Sequence, residues 1–216
     1  MTTQAPATFR TKRAVALDLI RDAIIAGEIP AGGRLILEDL AQQFNLSMTP
    51  IREALRVLEA EGFISQSPHK GAIVTPMDQE EIRELYATRS GVEAMVTRQA
   101  VPKLTADDLA TMEGLIHRME EARGDWDLFL TRDKEFHLIL YRAAGSQRWL
   151  ETIETLWRRC TRYMVASTAM SGAVSAIHTD HWALLSACRD GDVERAAATT
   201  VAHLLHSQDR LLHEWA

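Results

Sequence analysis

Asp133 and His137 stand four residues apart in DWDLFLTRDKEFHLILYRAAG, a stretch whose apolar residues recur at helical spacing. That spacing puts a carboxylate and an imidazole on one helix face, an oxygen and a nitrogen donor of the kind that binds a divalent metal ion. His181 sits among Val174, Ile177, Leu184, Leu185 and Cys188. His203 lies opposite a Val201, Leu205, Leu212 stripe and beside Thr199, Thr200, His206 and Ser207. A single histidine on an apolar face is ordinarily a hydrogen-bonded core residue, and the polar side of the last helix reads first as solvent-facing. The convergence of an Asp-x-x-x-His pair with histidines of later helices points instead to a metal site. His178 and His206, each three residues from a preferred ligand, stay open as rivals. Three imidazoles and a carboxylate suit zinc first, with nickel, iron and manganese as alternatives.

Two further residues carry charge where chemistry would need it. Arg89 projects from the centre of an apolar arc made by Ile82, Leu85, Tyr86, Val92 and Val96, and Glu93 shares that face. Burying either charge alone is costly, so the two form an internal ion pair or one of them meets a charged ligand. Near the other end, LSMTPIREAL sets Thr49 and Pro50 at a helix start, with Thr49 as the cap and Pro50 in the first position. Ile51, Ala54, Leu55 and Leu58 then share one face and Arg52 and Arg56 the other. Such a helix N-terminus offers backbone N–H groups, the Ser47 and Thr49 hydroxyls and Arg52 to a phosphate or a base edge.

These residues need elements to hold them. A helix over Thr11 to Gly27, a short one near Glu38 to Phe44, a turn at Asn45 and the Thr49 helix ending at Gly62 make a helix-turn-helix. FISQS and AIVTP flank the turn-rich PHKG and read as a two-stranded wing. Past Thr75-Pro76-Met77, where Asp78 and Glu81 make a capping-box-like start, the spacing predicts helices near 79–100, 106–122, 126–144, 147–167, 174–190 and 193–214. The fold class is therefore mainly α. A winged helix-turn-helix over residues 8–76 precedes an antiparallel bundle of about six helices over 77–216.

Composition agrees with two small domains and excludes several classes. No apolar run approaches the roughly 20 residues of a membrane span, and Cys160 and Cys188 sit amid apolar residues as reduced cysteines of a cytoplasmic protein do. Residues 1–76 hold eight basic and eight acidic side chains, so the net charge of −6 belongs to the rest of the chain. An acidic protein of this kind is no nucleic-acid coat, but its balanced N-terminal part leaves room for a small DNA-reading module.

The stretch GEIPAGGRLILEDLAQQFNLSMTPIREALRVLEAEGFI resembles the DNA-binding domain of GntR-family bacterial transcription regulators. The resemblance implies that Arg34, Ser47, Thr49 and Arg52 contact operator phosphates or bases and that His69 or Lys70 enters the minor groove from the wing. Met48 departs from the pattern, which commonly has arginine there, so the bidentate guanine contact of about 1–3 kcal/mol is lost. ELYATRSGVE, DKEFHLILYRAAG, DHWALLSACRDGD and AHLLH resemble the FCD effector-binding domain of the FadR subfamily. That resemblance implies a metal held by Asp133, His137, His181 and His203 and an effector carboxylate paired with Arg89. Ser146 stands where many relatives have asparagine.

Together these features predict a cytoplasmic, ligand-responsive regulator, a repressor in the commoner arrangement. It would bind double-stranded operator DNA as a homodimer and take a small organic acid beside a divalent metal. The alternative is a metal-dependent enzyme with an accessory DNA-binding module. The chain has no HExxH or GxSxG motif and no obvious extra acid or base beside the ligands, Glu93 being the best candidate base.

Overall fold

A computed structural model describes residues 11–67, 71–76, 78–122, 124–167 and 174–214. The chain forms two compact units that divide between Met77 and Asp78. In the first, α1 (Lys12–Ile25), α2 (Leu37–Gln43) and α3 (Met48–Ala60) precede the antiparallel strands β1 (Ile64–Ser67) and β2 (Gly71–Val74). Ala16, Ile20 and Ala23 of α1 are buried with Leu40 of α2 and Ile51, Ala54 and Leu58 of α3, a core of small and branched side chains. Asn45 takes a φ of 51°, the left-handed conformation that lets the chain turn sharply between α2 and α3.

Helix α3 starts two residues earlier than its sequence suggests. Ser47, not Thr49, is the N-cap residue, and its side chain makes no capping bond. Pro50 therefore falls at the third helical position, still within the turn whose N–H groups have no intrahelical acceptor, so it costs no hydrogen bond. The wing gains a short third edge. Leu35 N–H donates to Ala72 and Val74 N–H to Gly33, both at 2.9 Å, and Arg34 bridges Ile73.

The second unit is helical throughout its described residues apart from the joining turns. It runs α4 (Gln79–Ala100), a 3-10 turn at Val101–Lys103, α5 (Ala106–Glu121), α6 (Trp126–Ala143), α7 (Gln147–Ala166), α8 (Val174–Arg189) and α9 (Val193–Glu214). Its starts are capped as the residue types dictate. Thr105 and Asp108 form a reciprocal capping box on α5, Asp125 caps α6 and Ser146 caps α7. Asp78 caps α4 through Glu80 N–H, whereas Glu81 forms no capping box. Its carboxylate is taken instead by Arg162 and by the Tyr163 hydroxyl at 2.7 Å, a long-range clamp that outcompetes the local bond.

Helix α9 reverses the orientation implied by its apolar stripe. Leu205 is 43% exposed, while Ala196, Ala197, Thr200, His203, Leu204, Ser207 and Leu211 are buried. Small and hydroxyl residues allow α9 to lie close against α4, and the Thr97 and Thr200 hydroxyls meet across the contact at 3.2 Å. That packing brings His203 inside.

Candidate metal centre and DNA-facing helix

Helices α6, α8 and α9 each bring polar side chains to one interior point. One donor atom from each of Asp133, His137, His181 and His203 lies within 4.8 Å of all the others. The three histidines are buried, and Asp133 keeps 13% of its side chain exposed. Asp133 Oδ1 stands 2.9 Å from His181 Nε2 and 3.8 Å from His137 Nε2. Neither imidazole nitrogen has an aligned hydrogen bond, although both are shut off from water. Buried polar atoms ordinarily find partners, so donors crowded this closely, with His137 unbonded and His181 only within close ion-pair distance of Asp133, fit a cation placed between them.

Electrostatics favour the protonation states such a cation needs. Burial holds His137 well below the ordinary histidine range against the pull of Asp133, and burial likewise lowers His203. Burial alone would raise Asp133, but His181, His137 and His203 outweigh it and keep the carboxyl well below the usual carboxylate range. His137 and His203 thus present neutral nitrogens, and Asp133 presents a charged oxygen. His181 is further fixed by Nδ1–H donating to the Ile177 carbonyl at 2.8 Å, which turns Nε2 inward.

The two rival histidines lie outside this group. His178 is buried edge-on against Phe129 with ring centres 5.7 Å apart. His206 is half exposed and donates from Nδ1 to Asp180 Oδ2 at 3.0 Å.

A cavity of about 20 Å³ adjoins the cluster, lined by Arg89, Asp133, His137 and His203 on its polar side and by Tyr86, Phe129 and Met164 among its apolar walls. Arg89 is paired inside the protein: Nε donates to Glu93 Oε1 at 2.7 Å. Two donors absent from the sequence reading complete that carboxylate, Trp157 Nε1 at 3.1 Å on Oε1 and the Tyr141 hydroxyl at 2.7 Å on Oε2. Burial opposes the Arg89 charge, but Glu93 more than offsets it and holds the guanidinium's pKa well above its usual value. The guanidinium also lies over the Tyr86 ring at 5.0 Å. Tyr141 and Trp157 look like plain core aromatics in sequence, and only the fold shows that their polar ends converge.

At the other end of the chain, Ser47, Thr49 and Arg52 are all exposed around the first turn of α3, and Met48 beside them is 46% exposed. Arg34 is exposed on the edge of the wing. His69 and Lys70 lie outside the described residues.

Family comparisons agree with both halves. Residues 12–74 match the model for bacterial regulatory proteins of the gntR family, and residues 84–206 match the FCD domain. The chain belongs to the GntR family. It is a transcription regulator of the FCD-containing kind, a DNA-binding protein and not an enzyme. Among GntR relatives it is 26% identical to the HTH-type transcriptional regulator McbR of Escherichia coli K12 over 90% of each chain. It is 28% identical to the HTH-type transcriptional repressor RspR of the same organism over 91% of this chain and 88% of that one. A solved GntR-family regulator from Pseudomonas syringae is 31% identical, covers 98% of this chain and 88% of its own, and superposes with a TM-score of 0.54. The structure of E. coli McbR/YncC superposes with a TM-score of 0.71 at 23% identity, over 96% of this chain and all of that one, a likeness of fold. FCD domains often bind a metal, and this one carries a buried Asp/His3 group able to hold one.

Proposed function

We propose that this GntR regulator is a cytoplasmic homodimeric repressor whose operator affinity is set by a small carboxylate bound beside a divalent metal. The carrying observation is the cluster of Asp133, His137, His181 and His203, buried, without aligned hydrogen bonds at two inward nitrogens and open to a cavity that Arg89 also lines. These four residues would hold the ion, zinc in the first instance, and the ion would offer an open position to a carboxylate oxygen. Arg89, steadied through Nε by Glu93, would turn its remaining donors to the same ligand. A cavity of about 20 Å³ takes a water-sized group. A larger acid therefore enters only as lining side chains give way, and that displacement supplies the differential affinity a switch requires.

On the DNA side, Ser47, Thr49, Arg52 and Arg34 would contact operator phosphates or bases, with His69 or Lys70 of the wing reaching the minor groove. One short helix reads few base pairs, so two copies spaced by a helical turn of DNA are needed for specificity. Met95 of α4 and Leu205 of α9 are 40% and 43% exposed, large apolar side chains that a second copy would cover. Repression follows the description of RspR.

The test begins with elemental analysis of the full chain and selection of bound fragments from sheared genomic DNA. The expected result is one divalent ion per chain, tight salt-sensitive binding to a near-palindromic site, and release on adding the effector acid. Binding that Arg52→Ala leaves unchanged would overturn the DNA reading. A protein that takes up no metal, or whose His137→Ala variant takes up as much, would overturn the metal reading.

A further inference from the structure

Metal-binding histidines are ordinarily anchored through the nitrogen that does not bind, and two of the three here have an acceptor behind the ring. For His181 it is the Ile177 carbonyl at 2.8 Å. For His203 it is a side chain outside the inner group: Asp180 Oδ2 lies 3.5 Å from His203 Nδ1. Asp180 is mostly buried, and its second hold is His206, whose Nδ1 donates to the same oxygen at 3.0 Å. His203 Nδ1 is itself buried and has no aligned hydrogen bond, so the nearest charge able to receive its proton is this carboxylate.

We infer that Asp180 is a positioning residue for the metal centre, holding a proton on His203 Nδ1 so that Nε2 faces the cluster, and that His206 fixes Asp180 in turn. The inference rests on the metal reading above. Neutral imidazole carries one donor and one acceptor nitrogen, and the metal needs the lone pair on the inward one. A carboxylate behind the ring selects that tautomer and its orientation together. The local geometry makes this economical, because consecutive helix residues point about 100° apart. His181 faces the cluster while Asp180 reaches round to the back of His203, so a single Asp-His step on α8 supplies one inner ligand and the support of another. His206, one turn along α9 from His203, closes the arrangement from the solvent side.

The experiment is zinc binding by the full chain, stripped of metal and titrated in competition with a chromophoric chelator. Asp180→Ala is expected to weaken zinc binding 10- to 100-fold. It should lower the melting temperature of the metal-free protein far less than that of the zinc-loaded protein, whereas a purely structural role would lower both alike. Asp180→Glu should recover part of the affinity, and His206→Ala should cause a smaller loss than Asp180→Ala. Wild-type zinc affinity in Asp180→Ala, or an equal fall in the two melting temperatures, overturns the inference. Should Asp180→Ala fail to fold, Asp180→Asn and the half-exposed His206→Ala decide, and wild-type affinity in both overturns it. If the unmodified chain takes no zinc, the metal reading itself falls and this inference with it, an outcome seen before any variant is made.

Discussion

The DNA-binding unit keeps its candidate contact side chains on the surface, and the bundle keeps its candidate ligands inside. Ser47, Thr49 and Arg52 project from a helix whose opposite face, Ile51, Ala54 and Leu58, does the folding. In the bundle, Arg89, Glu93, His137, His181 and His203 occupy positions that apolar residues would otherwise fill. Function and stability are thus separable in the first unit and entangled in the second. A surface arginine can be replaced at no cost to the fold, whereas a buried charge leaves its partner stranded.

The hardest test of that contrast is Glu93→Ala. It strips Arg89 of its counter-ion and leaves Tyr141 and Trp157 donors unmet. Removing one partner of a buried, hydrogen-bonded pair costs about 3–5 kcal/mol, so the bundle's urea midpoint should fall steeply while Arg52→Ala in the same assay stays at the wild-type value. Equal midpoints for the two variants would erase the distinction between the units.

Metal removal gives the next largest effect. With zinc at 100 times its dissociation constant, binding adds about 2.7 kcal/mol to the folded state. Calorimetry with and without chelator should show a loss of that order for wild-type protein. His137→Ala should show none, because one of four donors is gone. A chelator-sensitive melt that persists in His137→Ala would place the stabilising ion elsewhere.

The same contrast explains what could be read from the sequence. The boundaries of α4 to α9 follow from caps and period, because Thr105, Asp125, Ser146 and Gly145 act within one or two turns of themselves. The candidate metal cluster was legible as four polar residues on apolar or ambiguous faces. Periodicity leaves His203, His178 and His206 as rivals, and only the FCD resemblance chooses His203. The physical reason it turns inward is the packing of α9 on α4, which rests on Thr97, Thr200 and the alanines rather than on Leu205. Asp180, Tyr141 and Trp157 could not be found at all, since adjacency along a helix says nothing about what stands behind a ring on another helix. Glu81 teaches the same lesson at smaller scale, where Tyr163, 82 residues away, prevailed over a local cap.

Returning to the surface, Arg52→Ala should weaken operator binding by about 1–3 kcal/mol if the guanidinium reads a base, with no change in melting temperature. Met48→Arg sharpens the result. Placed beside Arg52 on the same exposed turn, an arginine there should add preference for guanine at one operator position without loss of stability. A selection experiment that returns the wild-type operator for Met48→Arg would mean that this side chain faces no base.

The smallest effect belongs to Arg34, and it separates two kinds of surface contact. Arg34 is held by the backbone bridge to Ile73, at the edge of the wing rather than on the reading helix. From an edge strand its guanidinium can reach the phosphate backbone more readily than a base, and a phosphate contact carries no sequence information. Arg34→Ala should therefore weaken binding to all DNA by a similar factor. The slope of log affinity against log salt should drop by about one, the mark of a single lost phosphate contact. Preference among operator variants should not change. An altered preference would move Arg34 from positioning to base reading, and the wing edge would then share with α3 the work of telling one sequence from another.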